Sequence, residues 1–393
     1  MHLDLTADEA ALQGELRTYF AGLMTDDTRA RLGGAEGGAL YRSVVQQIGR
    51  DGWLGIGWPK EYGGQGRSAM DQFLFFDEAM RAGAPVPFVT LNTVGPTLIA
   101  FGSDEQKATF LPGILAGELI FAIGYTEPEA GTDLASLRTR AVRDGEEYVV
   151  SGSKIFTSGA DDADYVFLAV RTNPDAPKHK GISILLVPTA SPGFKVTPIT
   201  TVGDLRTTAT FYDDVRVPVG NRVGEEDAGW RLITTQLNHE RVGLAAFGAK
   251  AFRLWDEVVT WAAATPSGEP EDGTMLDRPW VQADLARTYA RLEAMKVLNW
   301  RMVADVGAGT LKAADASAVK VYGTETVVDV YRTLLGILGP VGSLRAGSSG
   351  ALLRGELERA GRAAQINTFG GGVNEVQREI VAAAGLGMAR RAR

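Results

Sequence analysis

The feature that most constrains this chain is a change of hydrophobic period along its length, from helical to alternating and back to helical. From Asp8 to about residue 120, apolar residues recur at helical spacing. Ser103-Asp104-Glu105-Gln106 has the form of a capping box, in which the Ser103 hydroxyl accepts a backbone N–H and Gln106 reaches back. Between Phe121 and Pro218 the period drops to two. Residues 139–143 and 148–151 flank Asp144-Gly145, a hairpin signal, and 165–171, 182–187, 194–199 and 209–217 follow as short β-rich runs. Beyond Gly229, the stretches 229–263, 280–306, 313–338 and 351–363 are long enough for a bundle, with a Pro/Gly loop at 265–274. A chain of 393 residues outgrows one simple core. The pattern predicts an N-terminal helical domain over 1–120, a middle antiparallel β domain over 121–220 and a C-terminal helical domain over 221–393.

Charge and cysteine usage narrow the function. A net charge of −8 argues against nucleic acid as a partner, because phosphate neutralisation needs a basic face. Any anionic ligand has to be held by local groups. The chain has no cysteine, which removes disulfides, thiolate nucleophiles and Cys-based metal sites, and no metal is expected. Met1-His2-Leu3-Asp4-Leu5 lacks the basic and apolar regions of a signal peptide, and no run is long enough to span a bilayer. The expectation is a soluble cytoplasmic enzyme without a membrane partner.

Two segments carry the chemistry. In Phe121-Ala-Ile-Gly-Tyr-Thr-Glu-Pro-Glu-Ala-Gly-Thr-Asp133-Leu-Ala-Ser136, Gly131 lets a backbone approach a ligand closely while Thr126, Thr132 and Ser136 offer hydroxyls. Read alone, it is a polar turn-rich loop. In Gly152-Ser153-Lys154-Ile155-Phe156-Thr157-Ser158-Gly159 an aromatic stands beside two hydroxyls; read alone, it is a strand with one core Phe. Together the two could wall one face of a planar ring and hydrogen-bond its edge.

The pair resembles the acyl-CoA dehydrogenase family. The family pattern Thr-Glu-Pro-x-Ala-Gly-Ser/Thr-Asp is intact from Thr126 to Asp133, and Trp58-Pro59-Lys60-Glu61-Tyr62-Gly63-Gly64, Glu105-Gln106-Lys107 and Leu111-Pro112 match its N-terminal cues. The resemblance covers essentially the whole chain and implies the acyl-CoA dehydrogenase fold: helical N-terminal domain, antiparallel β middle domain, C-terminal helical bundle. It implies FAD as cofactor, an acyl-CoA substrate and an electron-transferring flavoprotein as acceptor. It implies that Tyr125 and Thr126 meet the flavin pyrimidine edge, with Gly131 in the same cofactor loop. Phe156 would pack against the ring, Thr157 and Ser158 would lie near its N5/O4 side, and Thr132 near the ligand phosphates.

Desaturating an acyl thioester needs a base on one side of the α-carbon and a hydride acceptor on the other. In much of the family the base is a Glu before a C-terminal Gly-Thr; aligning on Gln377-Arg378 puts Gly371 there instead. A minority carries the base as Glu-Arg on the helix opening the C-terminal domain, and Leu237-Asn238-His239-Glu240-Arg241 matches that arrangement. Glu240 falls on the apolar stripe of Trp230, Ile233, Leu237, Leu244 and Phe247, where burial would raise its pKa toward that of a useful base. Glu240 is therefore the expected base, with Asn238 and Arg241 as substrate contacts. Glu375 is the runner-up, and the bland alternative is a structural carboxylate at 240. The resemblance leaves Gly371 one duty: its backbone N–H would bind the thioester oxygen, a contact worth roughly 3–4 kcal/mol. Three consecutive glycines there also leave room for a bulky acyl group.

The half-site that homotetrameric relatives offer a neighbour's FAD is missing. No Arg-x-x-Phe-Gly is recognisable between Phe252 and Trp280, and Gly336 stands where Gln opens the Gln-x-x-Gly-Gly pattern. This asymmetry fits one subunit of an α2β2 assembly whose homologous partner supplies the ADP contacts. Phe369-Gly-Gly-Gly-Val-Asn-Glu375 with Gln236-Leu-Asn-His-Glu-Arg241 is similar to the base-carrying subunit of bacterial steroid side-chain (pregnane-carboxyl-CoA) dehydrogenases. Two rival readings are a non-catalytic structural subunit and an acyl-CoA oxidase.

Overall fold

The computed structural model describes residues 4–33, 37–234, 248–268 and 273–389. Its N-terminal region is helical: α1 (Ala7–Leu23), α2 (Asp26–Leu32), α3 (Ala39–Arg50), α4 (Ala69–Ala82), α5 (Gly95–Phe101) and α6 (Asp104–Leu115). Capping boxes start three of them, from Thr6 and Glu9, Ser68 and Asp71, and Ser103 and Gln106. Each supplies acceptors for N–H groups that a helix cannot satisfy internally. Gln106 does more. Its Nε2 donates to Gly220 O at 2.7 Å and Arg222 O at 2.8 Å, tying α6 to the end of the β domain. Trp58 is 3% exposed and wedged between two glycines: a Cβ at Gly64 would lie 2.1 Å from its carbonyl oxygen, and one at Gly95 2.0 Å from its ring.

The middle domain is one sheet with strand order β6-β7-β3-β2-β4-β5-β8, built from β2 (Arg140–Asp144), β3 (Glu147–Ile155), β4 (Tyr165–Arg171), β5 (Ile182–Pro188), β6 (Phe194–Thr200), β7 (Arg206–Pro218) and β8 (Arg222–Val223). β1 (Phe121–Gly124) pairs with β4. Neighbours are antiparallel except β1 with β4, and β2 with β4 through the single pair Arg140–Arg171. The hairpin turns one residue later than the sequence suggests, because Asp144 still pairs with Glu147 and leaves Gly145 and Glu146 as the loop. Alternation also fails in two adjacent strands. Residues 166–170 of β4 and 184–187 of β5 are fully buried on both faces, so these strands read as continuous apolar runs.

The C-terminal region comprises α7 (Ala249–Ala264), α8 (Pro279–Gly307), α9 (Ala313–Leu338), α10 (Glu356–Ala363) and α11 (Asn374–Ile380). Leu254, Val258, Leu292, Val330, Leu334 and Leu357 form a core separate from the larger cluster that joins the N-terminal helices to the sheet. The helix expected over 351–363 is shorter than its pattern. Leu353 and Arg354 take φ of 46° and 57°, a left-handed break that delays the helix to Glu356. Among the described residues, no helix is long and apolar enough to cross a membrane.

Glu356 opens α10 against α7. Arg253 donates to its carboxylate, and Lys250 lies 3.4 Å away. Burial opposes ionisation, but the two cations prevail and push its carboxyl down to about 2. A carboxylate depressed in the folded state stabilises at pH above its unfolded value and loses that contribution as pH falls. Glu356→Gln should therefore lower the stability of the bundle at pH 7 by about 3 kcal/mol. In urea titrations, its deficit against the parent should close as pH falls from 4.5 to about 2.

Candidate active site

β1 ends at Gly124, so Tyr125 and Thr126 leave the sheet at its C-terminal end. The chain then makes a tight turn, in which Glu127 and Ala130 exchange both backbone hydrogen bonds across Pro128 and Glu129 at 3.1 Å. The second motif meets the first at this point. Ile155 N–H donates to Thr126 O at 2.8 Å, and Lys154 Nζ donates to Tyr125 O at 3.0 Å and to Glu127 at 2.8 Å.

Lys154 and Glu127 form a buried ion pair, their side chains 0% and 8% exposed. A pair taken out of water holds only if its remaining hydrogen-bonding capacity is used. Glu127 also accepts from the N–H of Arg138 at 2.7 Å and of Thr139 at 2.8 Å, which fixes the far end of the motif loop. Burial alone would raise the Glu127 carboxyl; Lys154 and Thr139 hold it below the usual carboxylate range. Burial pushes the Lys154 ammonium down to about 8 against the pull of Glu127. One ion pair thus organises both motifs.

Phe156 follows with φ of 61° and is 60% exposed. A bulky residue in the left-handed region is strained, and such strain persists only where neighbours enforce it. Here Lys154 and Ile155 before it and Thr157 after it are all anchored, the last through its N–H to Thr208 O at 3.0 Å. Ser158 is exposed and donates to Thr207 Oγ1 at 2.9 Å. Thr157 behaves otherwise. It is fully buried, its hydroxyl 3.4 Å from that of Thr210, so it supports the strand from within. Gly131 and Thr132 lie exposed on the outer loop, where a Cβ at Gly131 would meet only the Thr126 methyl at 3.9 Å. Asp133 closes that loop through Ser136 at 2.6 Å and Lys178 at 2.8 Å.

The remaining expected residues divide. Glu240, Asn238 and Arg241 lie outside the described residues. Gly371 sits on the loop between the turn Ala364–Thr368 and α11, with φ of 65°. Just before this loop, Arg362 of α10 donates to Asp204 at 2.5 Å and to Val202 O, docking a β-domain loop on the bundle. Lys154 and Glu127 each lie within a motif, and the sequence alone assigns neither a role. Two opposite charges 27 residues apart, one in each motif, were the available signal. Among the described residues, no cluster of His, Cys, Asp or Glu could hold a metal.

Removing one partner of the Lys154–Glu127 pair leaves the other charge buried and alone. Lys154→Met and Glu127→Gln should each cost about 3–5 kcal/mol in urea unfolding, and the double variant clearly less than their sum.

The family profile for the acyl-CoA dehydrogenase N-terminal domain matches residues 6–118, that for the middle domain 122–215 and that for the C-terminal domain 227–386. The chain is 54% identical to acyl-CoA dehydrogenase FadE26 of Mycobacterium tuberculosis and 51% identical to FadE29 of the same organism, covering 99% of both chains in each case. Among solved structures, the Tcur3481-Tcur3483 steroid ACAD aligns over 100% of both chains with a TM-score of 0.95 and 59% identity. The ChsE4-ChsE5 complex from Mycobacterium tuberculosis aligns over 100% of both chains with a TM-score of 0.93 and 54% identity. Motifs, three-part fold and relatives agree: this chain belongs to the acyl-CoA dehydrogenase family and is an oxidoreductase.

Proposed function

We propose that this chain is the base-carrying subunit of an FAD-dependent enzyme that desaturates a bulky, steroid-type acyl-CoA thioester between its α and β carbons. The observation that carries the reading is the exposed Phe156 ring, held in a strained conformation beside the ends of β1 and β3. An aromatic face kept open to solvent at such a cost fits a planar isoalloxazine. In this reading Tyr125 and Thr126 hold the pyrimidine edge, Phe156 covers the ring and Ser158 lies at its rim, with Thr157 bracing the strand beneath. Gly131 and Thr132 line the approach of the phosphates. FAD, when bound, supplies the acceptor for the β-hydride.

Glu240 takes the α-proton, Asn238 and Arg241 contact the substrate, and the Gly371 N–H holds the thioester oxygen. Such a donor stabilises charge that develops on that oxygen as the proton leaves. The steroid class is supported by the neighbour described as a steroid ACAD.

Assembly with a homologous partner is supported by two complexes among the neighbours and by Gly336. This residue is exposed, and a Cβ there meets nothing within 4 Å, so the fold has room for the side chain that the sequence omits. The partner would supply the ADP contacts, and an electron-transferring flavoprotein would take the electrons.

Glu240→Gln in the assembled complex should lower turnover about 10²–10⁴-fold with flavin absorbance retained; unchanged turnover would make this chain a structural subunit. Expressed alone, the chain should not form a fully flavinated homotetramer, as size exclusion with flavin absorbance would read directly.

A further inference from the structure

The loop carrying Gly371 has little of its own to hold it. Residues 370–372 are all glycine, and Gly371 and Gly372 take φ of 65° and 98°, values that favour glycine. The N–H groups of Phe369 and Gly370 both go to Ile366 O, at 3.2 and 2.8 Å. Among the described residues, the Gly371 N–H donates to no protein acceptor. It is the first free donor after the turn. A free donor stabilises a developing oxyanion only if its direction is fixed beforehand, and three glycines fix nothing by themselves.

The hold comes from α9. Lys320 Nζ donates to Thr368 O at 3.3 Å, to Gly372 O at 2.7 Å and to Asn374 Oδ1 at 2.7 Å. An ammonium has three N–H donors, and these acceptors use all of them, on both sides of Gly371. Asn374 is 3% exposed and is itself fixed, its Nδ2 donating to Thr324 Oγ1 and Glu325 Oε1, each at 3.1 Å. Arg378 closes the set on Glu325 at 2.8 Å. Lys320, Thr324 and Glu325 thus form one ridge of a long helix that grips the glycine loop and the start of α11.

We infer that Lys320 is a positioning residue, which pins both ends of the glycine loop and thereby aims the Gly371 N–H at the thioester oxygen. The inference rests on the proposed role of Gly371. It assigns to a remote side chain the orientation of a backbone group that has no side chain to orient it. The charges acting on Lys320 are Glu375 of α11 and Glu325 of its own helix, the latter paired with Arg378. Burial outweighs them and pushes the ammonium down to about 8. Above that pH the neutral amine keeps two donors for three acceptors, and the grip loosens.

The test uses the holoenzyme assembled with its partner and compares Lys320→Met and Lys320→Arg with the parent. Calorimetry reads the affinity for a 2-enoyl-CoA thioester and for the matching CoA thioether, which lacks the carbonyl oxygen. The parent should prefer the thioester by about tenfold or more. Lys320→Met should lose that preference while thioether affinity holds, with faster amide exchange confined to residues 366–376. The parent's preference should decline as pH rises past about 8, whereas Lys320→Arg should keep its preference there. A full preference retained in Lys320→Met would overturn the positioning role. No preference in the parent would instead overturn the Gly371 reading on which it rests.

Discussion

The Lys154–Glu127 pair is the constraint on which the candidate site depends. Charges of opposite sign are buried together, Lys154 at the end of β3 and Glu127 in the turn after β1, where neither could stay alone. Satisfying them draws in Tyr125 O and the N–H groups of Arg138 and Thr139, so one interaction fixes the start, middle and end of the first motif. The same lysine precedes Phe156 by two residues. Rigidity established by a buried pair is what allows a strained aromatic to persist at the surface beside it.

The C-terminal loop follows a similar plan with different means. Its glycines supply no contacts, so orientation is delegated to Lys320 and Asn374, which hold carbonyls and a helix start. In both places a lysine ammonium is half-buried or buried, grips backbone oxygens, and has its charge opposed by burial and favoured by a nearby glutamate. In the proposed site these two lysines would then act behind the ligand-facing groups, steadying a ring face in one place and a backbone N–H in the other. Such an arrangement keeps the ligand-facing surface open.

Domain docking connects the two. Gln106 joins α6 to the carbonyls at the end of the sheet, and Arg362 joins α10 to the loop around Asp204, where Gly203 packs directly on the Ala363 backbone. Each contact uses a polar side chain against backbone oxygens or a carboxylate; the first reinforces a junction that one apolar cluster already spans, and the second joins the β domain to the bundle, whose core is separate.

The sequence by itself determined the three-part order, the capping box at Ser103, the helix 313–338 and the two motif segments, because each is written in spacings of a few residues. Local patterns encode local structure. Only the tertiary structure decided that Thr157 turns inward to Thr210, that Leu353 and Arg354 break the last long helical pattern, and that β4 and β5 are covered on both faces. It also decided the partners of Lys154 and Lys320, which lie 27 to 29 and 48 to 54 residues away along the chain. No period or motif records such pairings, since they arise from which surfaces pack together. Burial and charge pairing are properties of the packed fold, and they become readable only once the chain has closed on itself.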